Sequence, residues 1–80
     1  MKLSNGELGK SYAVKEIALE LPVKRRLEIL GMTMNTIVTV LNSKTSGSKI
    51  IKVRGTRFAI GADFAEKIKV KPIDEEGGEL

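Results

Sequence analysis

The β-branched residues of this chain come in short runs, none long enough for more than one brief strand. The longest is Thr36-Ile37-Val38-Thr39-Val40-Leu41; Ile50-Ile51-Lys52-Val53-Arg54, Thr56-Arg57-Phe58-Ala59-Ile60 and Ile68-Lys69-Val70-Lys71 follow. Ser11-Tyr12-Ala13-Val14-Lys15-Glu16-Ile17 joins them, because Tyr12 and Val14 alternate with smaller or polar neighbours as a half-buried strand requires. Polar, glycine-bearing stretches separate the runs. Asn42 to Lys49 reads as a loop, and Gly55 as a tight hairpin corner or bulge. Leu3 to Lys10, with Gly6 and Gly9, reads as a turn or one loose helical turn. Gly61 to Lys67 is too short for a long helix and is expected to make a single turn.

One segment has helical spacing. In residues 21–31, Pro22 suits the first helical turn, where its missing N–H leaves nothing unsatisfied. Val23, Leu27 and Leu30 recur at i, i+4 and i+7 on one face. Gly31 fits the position after the helix, where the backbone turns left-handed. Five brief strands with one short helix inserted after the first long strand predict a mainly β fold. Tight connections favour a small closed five-stranded barrel, since closure removes edges that would pair with other chains. The expected core is Tyr12, Val14, Leu27, Leu30, Val38, Val40, Ile51, Val53, Phe58, Ile60, Ala65, Ile68 and Val70.

Eighty residues allow one domain with one modest core. Residues 1–73 hold all 14 Lys and Arg against six acids, a balance of +8, whereas residues 74–80 hold four acids and no base, −4. The expected organisation is a domain over 1–73 followed by an acidic tail over 74–80, disordered for want of apolar residues to bury. No apolar run at the N-terminus resembles a signal peptide and none approaches the length of a bilayer span, so the expected location is cytoplasmic.

The chain contains neither cysteine nor histidine. Thiol catalysis and cysteine-based metal sites are thereby excluded, and the usual general base near neutral pH is missing. Ser and Thr have no histidine to activate them, and no glycine pattern cradles a phosphate. No enzyme is expected, and no small-molecule substrate. Met1, Met32 and Met34 are the only soft ligands; Met32 is expected to pack under the helix end and Met34 to fill a turn. No metal or cofactor site is therefore assigned. What remains is charge. Lys52, Arg54 and Arg57, with Lys49 nearby, fall on adjacent strands and point outward if Ile51, Val53 and Phe58 point inward. Lys24-Arg25-Arg26 adds bases around the helix. Such a surface suits an acidic protein partner. The alternative is nucleic acid, which the +8 invites, but the chain has only three aromatics to serve as stacking platforms. The candidate partner-binding residues are Arg25, Arg26, Lys52, Arg54 and Arg57, with Phe64 as an apolar anchor.

The segment Arg25-Arg26-Leu27-Glu28-Ile29-Leu30-Gly31-Met32-Thr33-Met34-Asn35-Thr36-Ile37-Val38 resembles the signature of the FeoA family, ferrous iron transport protein A. That pattern is a basic pair, a leucine-rich helical turn, Leu-Gly-Leu/Met, then a Pro-Gly-Thr turn into a strand. Gly55-Thr56-Arg57-Phe58-Ala59-Ile60 and Ala65-Glu66-Lys67-Ile68-Lys69-Val70 resemble a second block. This chain departs at Met34-Asn35, where Pro-Gly is usual; asparagine tolerates positive φ, which keeps the turn available. It departs also at Gly61, where arginine is frequent, and at Phe64, where glutamate is common. The resemblance implies an SH3-like barrel that acts with FeoB, a membrane GTPase and ferrous iron permease, docking on its cytosolic part as an accessory and meeting the membrane only through that partner. It also implies kinship in fold with the C-terminal domain of iron-dependent repressors, whose DNA-binding helices do not precede the domain here.

Overall fold

A computed structural model of the chain describes residues 1–73. The expected tail over 74–80 lies outside the described residues. The chain begins with a 3-10 turn at Leu3–Asn5. It then forms β1 (Ser11–Ile17), α1 (Leu21–Ile29), β2 (Ile37–Ser43), β3 (Lys49–Val53), β4 (Thr56–Ile60), α2 (Ala62–Ala65) and β5 (Ile68–Pro72). All five expected strands are present, as is the helix after the first. The single turn expected near residue 62 is α2.

The strands form one antiparallel sheet in the order β4-β3-β2-β1-β5. Four successive strands run as a meander, and β5 returns to the free side of β1. The expected closed barrel is corrected here: β4 and β5 do not pair, so the sheet is open with those two strands at its edges. Strands of five to seven residues, with pairing shifts between Val14 and Glu16 and between Val40 and Asn42, curl the sheet without joining its ends. An isolated bridge from Lys2 to Lys69 and the bond from the Val70 N–H to the Met1 carbonyl (2.7 Å) bind the N-terminal segment to β5.

Inside the curl lies one apolar cluster. Tyr12, Val14, Val38, Val40, Ile51, Val53, Ile60, Ile68 and Val70 supply it from all five strands, in the alternation a one-faced sheet dictates. Leu3, Ile17, Leu27, Met32 and Ala65 complete it. The buried Tyr12 hydroxyl accepts a hydrogen bond from the Glu7 N–H (2.8 Å), so its polar end is satisfied. Two core expectations are corrected. Leu30 is 39 % exposed, because the helix terminates there and turns its side chain outward. Phe58 is half-buried against the cluster, because it sits on an edge strand with no neighbour beyond.

The end of α1 sets how the helix rejoins the sheet. Gly31 has φ +107°, its N–H bonds the Glu28 carbonyl (2.9 Å) and the Met32 N–H bonds the Leu27 carbonyl (2.9 Å). These are the paired bonds of a Schellman motif, with Met32 and Leu27 buried together as its apolar contact. The next turn uses Asn35 at φ +67°, as the sequence allows; its N–H bonds the Val14 carbonyl (2.7 Å) and its side-chain oxygen accepts from Lys15 Nζ (2.8 Å). The β3–β4 hairpin tip is Arg54-Gly55, with φ +52° and +86°, the two positive angles a type I′ turn needs. Arg54 folds across Gly31, and its Nε donates to the Gly31 carbonyl at 3.3 Å.

A Cβ on Gly31 would lie 2.8 Å from Arg54 Cδ, at a φ that side chains avoid. Gly31→Ala is therefore expected to destabilise the fold by about 1–3 kcal/mol, read as a lower urea midpoint with an unchanged m-value. An unaltered midpoint would show that neither the positive φ nor the arginine contact constrains this site.

Candidate functional site

Register places two of the candidate bases side by side. Ser11 faces Thr39 across β1–β2, Thr39 faces Lys52 across β2–β3, and Lys52 faces Arg57 across β3–β4. Residues 11, 39, 52 and 57 thus form one row across four strands on the face opposite the core. The Ser11 and Thr39 hydroxyls share a hydrogen bond of 2.9 Å, while Lys52 and Arg57 stand exposed. Lys71 and Lys69 lie on the same face of β5, alternating with buried Ile68 and Val70. Glu16 to Lys69 at 3.7 Å is the sole ion pair among the described residues, and both groups are exposed, so it contributes little. Lys52 and Arg57 have no carboxylate partner among the described residues.

The other candidates sit apart from this row. Arg54 belongs to the hairpin tip and not to a strand face, and it is bound to the helix end. Arg25 and Arg26 are exposed on α1, the helix whose end Arg54 covers. Phe64 lies on α2 at the opposite end of the β3–β4 hairpin, since Ile60 pairs with Lys49 and α2 follows directly. It is 43 % exposed and borders a shallow groove with Ser46, Ser48, Gly61, Ala62 and Asp63. Gly47 allows that groove's loop to approach α2: a Cβ there would sit 2.9 Å from the Ala62 Cβ.

Two features escaped the sequence reading. Residues 21, 25 and 29 recur every four positions, so they drift only about 40° per step around the helix and lie opposite buried Leu27. The outward pole of α1 is therefore Leu21-Arg25-Ile29, with Leu21 55 % and Ile29 85 % exposed. Helical spacing of 21, 25 and 29 was readable, but the apolar face at 23, 27 and 30 masked it. Lys49, by contrast, is withdrawn from the surface. It is 6 % exposed, on the inward side of β3 with Ile51 and Val53, and its Nζ donates to Ser43 Oγ at 2.7 Å. Among the described residues no group of three His, Cys, Asp or Glu side chains could hold a metal ion, and no helix is long and apolar enough to cross a membrane.

The family model for the FeoA domain matches residues 1–72. The chain belongs to the FeoA family. Solved structures agree. A FeoA protein from Chlorobium tepidum superposes with a TM-score of 0.86 at 29 % identity, covering 92 % of this chain and 71 % of that one. A crystal structure of an iron uptake regulatory protein (FeoA) gives 0.82 at 32 % identity, covering 91 % and 97 %. The zinc complex of Stenotrophomonas maltophilia FeoA, described as an SH3 domain protein possibly acting as a ferrous iron transport activating factor, gives 0.76 at 28 %, covering 89 % of each chain. A manganese-dependent transcriptional repressor shares the fold at 17 % identity, with a TM-score of 0.80. No curated protein matches the chain. The fold is thus SH3-like, and the family is one associated with ferrous iron transport and not a known enzyme class. In the helix-to-strand segment Gly31 takes the left-handed conformation that closes α1, and Asn35, a departure from the family pattern, takes a left-handed angle in the turn that follows.

Lys49 tests how charge is used here. Its aliphatic stem fills an inward strand position and only its head needs a polar partner. Lys49→Met should keep the fold within about 1 kcal/mol of the parent, whereas Lys49→Asp, which places a short charged group inward, should cost at least about 3 kcal/mol. Urea denaturation of both variants checks this; equal loss in the two would mean that the ammonium group is itself required.

Proposed function

We propose that this FeoA-family chain is a cytoplasmic accessory of ferrous iron uptake that docks on the cytosolic part of a FeoB-like membrane GTPase. The match of the FeoA domain over residues 1–72 carries the reading. The site residues are those left outward with nothing to do in the fold: Lys52 and Arg57 on the sheet, Arg25 and Arg26 on α1, and Phe64 on α2. Leu21 and Ile29 flank Arg25, giving the helix pole an apolar complement to its charge. Arg54 has a double part, since the bond that holds it to Gly31 fixes the hairpin tip between the sheet row and the helix. Basic groups steer an acidic partner and set its orientation, while exposed apolar side chains that become buried supply the larger share of binding energy.

Calorimetric titration of the full chain against the cytosolic domain of a FeoB-like GTPase, with and without guanine nucleotide, tests this. Saturable binding is expected, with an association rate that falls as salt rises. Lys52→Glu/Arg57→Glu, both at exposed positions, should weaken it at least tenfold, or about 1.4 kcal/mol, without changing the unfolding midpoint. No binding by the parent chain at high micromolar concentration in any nucleotide state would exclude direct docking.

A further inference from the structure

The two edges of the open sheet are not alike. Along β5 the N-terminal segment lies alongside: Lys2 bridges to Lys69, and the Val70 N–H bonds the Met1 carbonyl at 2.7 Å. Nothing among the described residues does the same for β4. The hairpin fixes which backbone groups of β4 are left over. A two-residue turn makes its flanking pair, Val53 and Thr56, a hydrogen-bonded pair, and such pairs alternate along an antiparallel ladder. Ile51–Phe58 and Lys49–Ile60 are then bonded, while Lys52–Arg57 and Ile50–Ala59 are not. The N–H and C=O groups of Arg57 and Ala59 therefore point away from β3 along the open edge, and both residues are exposed. No turn or loop among the described residues bonds them.

Side chains give this edge its chemistry. Arg57 stands on the outward side, with Lys52 behind it on β3, and neither has a carboxylate partner among the described residues. Phe58 stands on the inward side, half-buried against the core with no strand beyond it. The hairpin over residues 49–60 carries Lys49, Lys52, Arg54 and Arg57 and no acid. A second copy of the chain fits this edge badly. Full antiparallel overlap of two β4 strands centres on Phe58 and sets the two copies of Arg57 at diagonal positions, where like charges repel. An edge arginine discourages pairing between copies in this way, and the same charge attracts an acidic strand.

We propose that the open edge of β4 receives an extended acidic segment of a partner protein, which adds to the sheet as a further strand. In that segment acidic side chains alternate with apolar ones. An acid opposite Arg57 meets its charge, and the apolar neighbour covers Phe58 and lengthens the core. Main-chain bonds to Arg57 and Ala59 supply affinity, and the alternation supplies selection. The binding mode does not depend on which protein carries the segment, so it stands apart from docking on a GTPase.

The probe is a blocked peptide of about eight residues alternating glutamate and valine, titrated into the isotope-labelled full chain. Amide shifts should saturate and be largest at Arg57 and Ala59, and solvent exchange of those two amides should slow at least tenfold. Two N-methylated peptides, one lacking the glutamate N–H groups and the other the valine N–H groups, separate strand addition from charge. Only one of these sets can face β4, so one peptide should lose affinity at least tenfold and the other keep it. Ala59→Pro removes one outward N–H without breaking a ladder bond and should also weaken binding; should that variant fail to fold, the methylated pair decides alone. Equal binding of the two methylated peptides would overturn the proposal, because the contact would then be one of charge only. No binding at about 2 mM peptide, or protection that falls on Lys69 and Lys71 instead, would overturn it too. Slowed exchange at Arg57 and Ala59 that grows with chain concentration in the absence of peptide would assign the edge to a second copy, with the same result.

Discussion

Helix α1 leaves the sheet after β1 and must deliver the chain back to β2, and the turn at Gly31 makes that return possible. The helix buries little of itself: Leu27 is its one fully buried residue, with Val23 partly covered. Its attachment depends on how its end is finished. The two reverse bonds from Gly31 and Met32 satisfy carbonyls the helix would otherwise leave open, and they set Met32 against Leu27 inside the core. The same glycine, lacking a side chain, lets Arg54 lie across it and bond its carbonyl. One residue thus joins three things: the helix end, the core and the tip of the β3–β4 hairpin.

That joint has consequences for what is left outside. Because α1 is held by its end and not by a broad face, its outward pole remains free, and Leu21 and Ile29 stay exposed around Arg25. Because the hairpin tip is tied to the helix, Arg54 is committed to the fold while Lys52 and Arg57 stand clear of it. The inward-facing apolar side chains of all five strands are committed to a single cluster, while Ile37 and Leu41 on β2 stay exposed. In the proposed docking role, recognition falls to the exterior, where basic groups are in excess and carboxylate partners among the described residues are few.

Much of the fold was legible because alternation in a strand is a strict geometric rule. Once Val38, Val40, Ile51, Val53 and Val70 are inside, their neighbours must be outside, and the structure follows that pattern. Leu30 misled because helical spacing says which side a residue is on but not where the helix stops. Met32, expected under the helix end, is the residue that the turn carries into the core. Leu3 and Ile17 escaped because one belongs to a single 3-10 turn and the other follows a pairing shift that resets the alternation. Closure of the sheet was not legible either, since it depends on accumulated twist and curvature and not on any residue type.

The candidate surface divides along the same line. Residue types and local spacing determined by themselves that this chain would be a small, mainly β domain, that most of its bases would lie outside, and that Gly31, Asn35 and Gly55 would take turn positions; these are properties of neighbouring residues and of backbone sterics. Only the tertiary structure decided that Lys52 and Arg57 share a row with Ser11 and Thr39, that Lys49 turns inward to Ser43, that Arg54 belongs to the helix end, and that β4 and β5 remain separate edges. Each of those depends on which strand lies beside which and in what register, a relation between residues far apart in the chain that no local pattern encodes.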